Sequence, residues 1–136
     1  MDKEKALLLF NQSNWDDTDP DSAWSAVNAC EAAGFTPTGA WIEVLKEGPA
    51  YWFTRSPVLI HVTGHAPTWT VDVTRPKFAA ARVELQGDPA DASFAMKLSL
   101  IPPKDGRIYE LGGIGRRAQY LHAFYKRFLL NLVDLV

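Results

Sequence analysis

The stretch Val58-Leu59-Ile60-His61-Val62-Thr63-Gly64-His65-Ala66-Pro67-Thr68-Trp69-Thr70-Val71-Asp72-Val73-Thr74 decides the class of fold. Val58, Ile60 and Val62 alternate with Leu59, His61 and Thr63, and Trp69, Val71 and Val73 alternate with Thr68, Thr70, Asp72 and Thr74. A period of two is that of a pleated strand with one face towards a core. The intervening Gly64, His65, Ala66 and Pro67 are too few for a crossover, so the two strands are expected to be antiparallel neighbours.

The same period continues towards the C-terminus. Ala81, Val83 and Leu85 alternate with Arg82, Glu84 and Gln86, and Phe94, Met96, Leu98 and Leu100 alternate with Ala95, Lys97 and Ser99. Residues 108–111 add a short last strand. The connections at 75–77, 87–91 and 102–106 are short and rich in Gly, Pro and Asp, which predicts a meander. Towards the N-terminus the period is helical. Ala6, Leu7 and Phe10 define a short helix over 3–11, and Asp19, Pro20 and Asp21 open a second one over 20–33 that Gly34 closes. Residues 36–48 read as a helix bracketed by Thr36-Pro37 and Gly48-Pro49. The alternative is a hairpin in which residues 41–46 pair with residues 51–55.

A stripe of Leu121, Phe124, Tyr125, Phe128, Leu132 and Leu135 predicts one long helix over residues 116–136. Helices at both ends of one run of strands define an α+β fold: an antiparallel meander sheet of 4–6 strands within residues 51–111, flanked by N-terminal helices and a long C-terminal helix. With 136 residues, the expectation is one domain over 1–136.

Charge and composition narrow the function. A net charge of −2 and a pI near 5.9 give no bulk attraction to nucleic acid or anionic lipid, so nucleic acid is not favoured as a partner. Cys30 is the sole cysteine, which rules out an internal disulfide and a zinc site built on several thiolates, and suits a reducing cytoplasm. The apolar run 128–136 contains Asn131 and Asp134 and is too short to cross a bilayer, and residues 1–10 lack the pattern of a signal peptide. The expectation is a cytoplasmic protein with no membrane contact.

Candidate ligand sites are thin. Asp17-x-Asp19-x-Asp21 resembles the opening of a calcium loop, but Ser22 stands where Gly is needed, Asn28 where a bidentate Glu is needed, and Pro20 falls inside. His61 and His65 are four apart on a strand, a spacing of roughly 13 Å. No metal and no cofactor is expected. Gly112-Gly113-Ile114-Gly115 before Arg116 and Arg117 has backbone freedom to cradle an anion, but lacks the Walker lysine and serine. A winged-helix reading of the N-terminal half fails on charge, since its would-be recognition helix carries Glu43 and Glu47 against Lys46 alone.

Asp72 on one strand with Glu84-Leu85-Gln86 on the next resembles the carboxylate pattern of the PD-(D/E)xK nuclease superfamily. It departs from that pattern at Gln86, where the superfamily has lysine, and at Val71, where it has proline. The resemblance implies a metal-dependent phosphodiesterase or nucleic-acid-handling protein using Asp72, Glu84 and Gln86, with Arg116 and Arg117 on phosphate. The competing and favoured expectation is a non-enzymatic protein-binding module of the inhibitor, immunity-type, adaptor or assembly kind. It rests on five tryptophans, of which Trp15, Trp41, Trp52 and Trp69 are more than one small core is expected to absorb. Finally, Leu129, Leu130, Val133 and Val136 extend the apolar surface of the C-terminal helix beyond one face, which predicts a homodimer interface there.

Overall fold

The computed structural model describes residues 1–10, 19–46, 48–75, 77–104 and 108–133. The chain divides into two compact units, Met1–Arg75 and Pro76–Val136.

The first unit opens with α1 (Lys3–Phe10) and α2 (Pro20–Ala32). Asp19 caps α2 by accepting a hydrogen bond from the Asp21 amide at 3.1 Å, with Pro20 in the first turn where its missing N–H is no loss. Gly34 ends the helix at φ +106, a conformation that a Cβ would strain. Four strands come next: β1 (Gly39–Leu45), β2 (Gly48–Arg55), β3 (Val58–His65) and β4 (Thr68–Thr74). They form one antiparallel sheet in chain order. Residues 36–48 are therefore not a helix. Trp41 pairs with Trp52 and Ile42 with Tyr51, and Gly48, at φ +127, starts the returning strand. A segment with aromatic and β-branched residues favours the pleated state, and a facing strand of the same kind decided it here.

One face of this sheet and the two helices share a core. Ala6, Phe10, Ala26, Val27 and Cys30 from the helices meet Ile42, Tyr51, Phe53, Ile60 and Val62 from the strands, all fully buried. Phe10 is central, with its ring edge-on to Tyr51 and Phe53 at 5.9 and 5.8 Å. Trp69 packs partly buried on the same cluster and donates its indole N–H to Ser25 Oγ at 2.9 Å.

The second unit holds β5 (Ala80–Gln86), β6 (Ala95–Ile101) and β7 (Tyr109–Ile114), an antiparallel sheet in that order, and then α3 (Arg116–Phe124). The meander is thus split into sheets of four and three strands, and β4 and β5 are not paired. The reason lies at Phe78. Its amide bonds to the Leu132 carbonyl at 3.1 Å and that of Ala79 to the Ile101 carbonyl at 2.9 Å, so the chain joins a new set of partners instead of turning back on β4.

Gly113 lets α3 approach β7. A Cβ there would stand 3.1 Å from the Ala118 amide nitrogen. Beyond Phe124 the helix widens into a π turn over Tyr125–Leu129 and tightens to a 3-10 turn over Leu130–Leu132. The C-terminal helix is therefore helical through Leu132 but not one uniform α-helix.

Candidate functional site

The polar side of the first sheet is organised in transverse rows. Trp41, Trp52, His61 and Asp72 are successive cross-strand partners from β1 to β4, on the face opposite the helix-covered core. The Trp52 and His61 rings stack at 4.0 Å with an interplanar angle of 15°. The Trp41 indole N–H donates to Glu43 Oε2 at 3.0 Å on the same face. Exposure rises along the row: Trp41 is 0% exposed, Trp52 6%, His61 half-buried and Asp72 exposed.

The tryptophans expected to form a contact surface differ in their placement. Trp41 and Trp52 lie inside the protein, and Trp69 is tied to α2 through Ser25. Trp15 lies outside the described residues, as do Asp16 and Asp17 of the acidic segment; Asp19 of the calcium-like pattern is the cap of α2.

The carboxylate pair is also rearranged. Asp72 belongs to β4 in the four-stranded sheet, whereas Glu84 and Gln86 belong to β5 in the three-stranded one, so the adjacent-strand premise of the nuclease resemblance is not met. On its own sheet Glu84 faces Lys97 across β6 and lies 3.5 Å from Arg82. Arg82 and Glu84 are both exposed, and such a pair contributes little. No group of three or more His, Cys, Asp or Glu among the described residues has metal-binding geometry. Cys30 is buried against the Phe35 carbonyl, and that burial pushes its thiol pKa up to about 12, the opposite of a nucleophile's need.

The glycines before the C-terminal helix do not form an anion cradle. Gly112 and Gly113 are strand residues of β7, opposite Lys97 and Met96, and only Gly115 turns, at φ +68. The helical segment beyond them is more distinctive in its charge. Met1–Arg75 carries five Lys and Arg against ten Asp and Glu, whereas Pro76–Val136 carries nine against six, a net −5 beside a net +3. Residues 111–133 hold Arg116, Arg117, Lys126 and Arg127 and no acid at all.

Helical geometry sorts this stretch into two faces. Ala118, Leu121, Phe124, Leu129 and Leu132 are buried; Arg116, Ala123, Lys126, Arg127 and Leu130 are exposed. Arg116 donates through Nε and Nη2 to Tyr120 Oη at 3.0 and 2.8 Å, with its guanidinium 5.4 Å from that ring's centre. The Arg127 guanidinium stands 5.3 Å from the Phe128 ring. Two cations are thus held against aromatic rings on the solvent side. Arg117 is half-buried at the contact with Gly113.

The apolar stripe expected to form a dimer interface is partly internal. Leu129 is 1% exposed, and Val133 is half-buried and bridges to Phe78. The π turn is the cause. It separates the buried Phe124 and Leu129 by five residues, where an α-period places the next buried residue at Phe128. Leu130 alone of the four remains outside, at 40% exposure, and Val136 lies outside the described residues. Comparison with known proteins finds no family model, no curated protein and no solved structure that matches this chain.

Proposed function

We propose that the chain is a protein-binding module that engages an acidic partner through the solvent face of its C-terminal helix. The observation that carries this reading is the charge segregation: a stretch of residues 111–133 with four Arg and Lys and no acid, in a chain whose net charge is −2. Arg116, Arg127 and Leu130 are all exposed on this segment, and Tyr120 lies half-buried beneath Arg116. Arginine and tyrosine are the residue types that carry most binding energy at protein interfaces. Holding Arg116 on Tyr120 and Arg127 beside Phe128 before a partner arrives reduces the side-chain entropy lost on binding. A polyanion such as nucleic acid would meet the same basic segment, but in a chain whose net charge is −2 and which has no bulk attraction for it.

The test is affinity capture from extract of the native cell, comparing the chain with its Arg116→Glu/Arg127→Glu variant. The expected result is a protein partner retained by the original chain and lost by the variant. It is also released at about 1 M salt, where charges are screened beyond about 3 Å. Retention of the same partner by the variant, or recovery only of nuclease-sensitive nucleic acid, overturns the reading.

A further inference from the structure

We propose that β4 is a self-complementary edge to which a second copy of this chain adds in antiparallel fashion, about a two-fold axis through Val71. The surface is distinct from the basic face of the C-terminal helix. In its sheet β4 is the last strand, bonded to β3 on one side only. Among the described residues no backbone group outside β3 hydrogen-bonds to Trp69, Val71 or Val73.

Open edges of natural sheets are usually guarded by charge, proline, a bulge or a cover. The other edges of this protein have such features. β5 presents exposed Arg82 and Glu84, β7 presents exposed Glu110 and contains two glycines, Gly112 and Gly113, and β1 is buried at Ala40, Trp41 and Ile42. β4, by contrast, is Thr-Trp-Thr-Val-Asp-Val-Thr: six residues of strong strand preference, a single charge, no proline and an unbroken register from Thr68 to Thr74.

The pattern reads the same way from either end, and that selects a second copy as the occupant. Antiparallel pairing centred on Val71 places Thr68 opposite Thr74, Trp69 opposite Val73 and Thr70 opposite Asp72. All seven residues are used, and each carboxylate of Asp72 meets a threonine hydroxyl. A register that set Asp72 against Asp72 would place like charges in contact. Backbone direction agrees. Two residues, Ala66 and Pro67, connect β3 to β4, so His65 and Thr68 close the hairpin as a bonded pair. Counting from there, Trp69, Val71 and Val73 turn their N–H and C=O groups outward, and these meet one another across the two-fold axis. The product is an eight-stranded sheet running through both copies. An interface made by one strand belongs to the small class, below about 1,200 Å², and is concentration-dependent.

The experiment is sedimentation equilibrium of the full chain from about 1 µM to about 1 mM, the span over which small interfaces dissociate. The same runs are made with Thr70→Lys and Thr70→Asp. Thr70 is exposed, so both variants are expected to fold, and thermal unfolding checks this. Two symmetry-related charge pairs act with opposite sign. Thr70→Lys tightens the dimer and Thr70→Asp loosens it, each by roughly 2- to 30-fold in dissociation constant. In hydrogen exchange, the amides of Trp69, Val71 and Val73 slow as concentration rises. A chain that stays monomeric at the top of the range overturns the proposal. So does a dimer on which the two substitutions act alike, or one that the Arg116→Glu/Arg127→Glu variant abolishes.

Discussion

Replacing Gly113 by alanine tests whether the second unit is built around one close approach of helix to strand. The added methyl would lie 3.1 Å from the Ala118 amide nitrogen, 3.2 Å from the Arg117 carbonyl carbon and 3.0 Å from Arg117 Cγ. The side-chain atom can swing away, but the backbone atoms move only if α3 lifts from β7. Ordinary carbon contacts lie near 3.5–4.0 Å, and overpacking of this kind costs about 1–3 kcal/mol. Alanine recovers about 0.4–1 kcal/mol by restricting the unfolded chain, leaving a net loss of about 1–2 kcal/mol. Gly112, one residue earlier and on the opposite face, supplies the control. A Cβ there meets only the Met96 carbonyl oxygen, at 3.4 Å, so Gly112→Ala should be neutral or slightly stabilising. The two variants should therefore differ by about 2 kcal/mol, or about 1 M in urea midpoint at a slope near 2 kcal/mol per molar. Far-UV circular dichroism is the readout. All five tryptophans lie in Met1–Arg75, so their fluorescence tracks the first unit and shows separately whether the two units unfold together. Equal loss in both variants, or none in Gly113→Ala, would refute a helix seated on that glycine.

In the first unit, Phe10→Ala removes a fully buried ring that contacts Tyr51 and Phe53, and should cost about 3–5 kcal/mol by tryptophan-monitored denaturation. Asp19→Ala deletes the cap of α2 and should cost about 1 kcal/mol in the same assay. Cys30, raised by burial to about 12, stays a thiol in the folded protein while its unfolded counterpart ionises from about pH 9. The unfolded state then binds fewer protons, so stability falls as pH rises from about 9 towards 12, by up to about 1.4 kcal/mol per pH unit. Cys30→Ser should flatten that limb of the curve. A maleimide at pH 8 should label Cys30 only after unfolding.

Much of the local structure was legible because it is dictated by neighbours in the chain. Asp19, Pro20 and Gly34 mark α2 at both ends, and the alternation from Val58 to Thr74 marks β3, β4 and their hairpin. Partner choice was not legible. Residues 36–48 have features of both a helix and a strand, and only the presence of Tyr51, Trp52 and Phe53 across from them makes a strand of the segment. The break between β4 and β5 depends on the Phe78 amide reaching Leu132, more than fifty residues away, which no local pattern encodes. The candidate site divides in the same manner. Arg116 and Leu130 could be named from sequence, whereas the burial of Trp41 and Trp52 required both faces of the first sheet to be known. The missed signal was the absence of any Asp or Glu in residues 111–133, visible in the chain but hidden by averaging charge over its whole length.

The π turn at Tyr125–Leu129 governs how this chain tolerates a change of length. It holds one residue more than an α-helical turn needs to carry the buried face from Phe124 to Leu129. Removing a single residue from the solvent side of that turn, such as Lys126, converts it to α geometry and leaves the same hydrophobic groups facing the same way. Adding one residue instead rotates Leu129 and Leu132 out of the interior by roughly 100°. Deletion here is the phase-preserving change and insertion the phase-breaking one. In an alignment of variants that still fold, gaps should gather at residues 125–129 and extra residues should not.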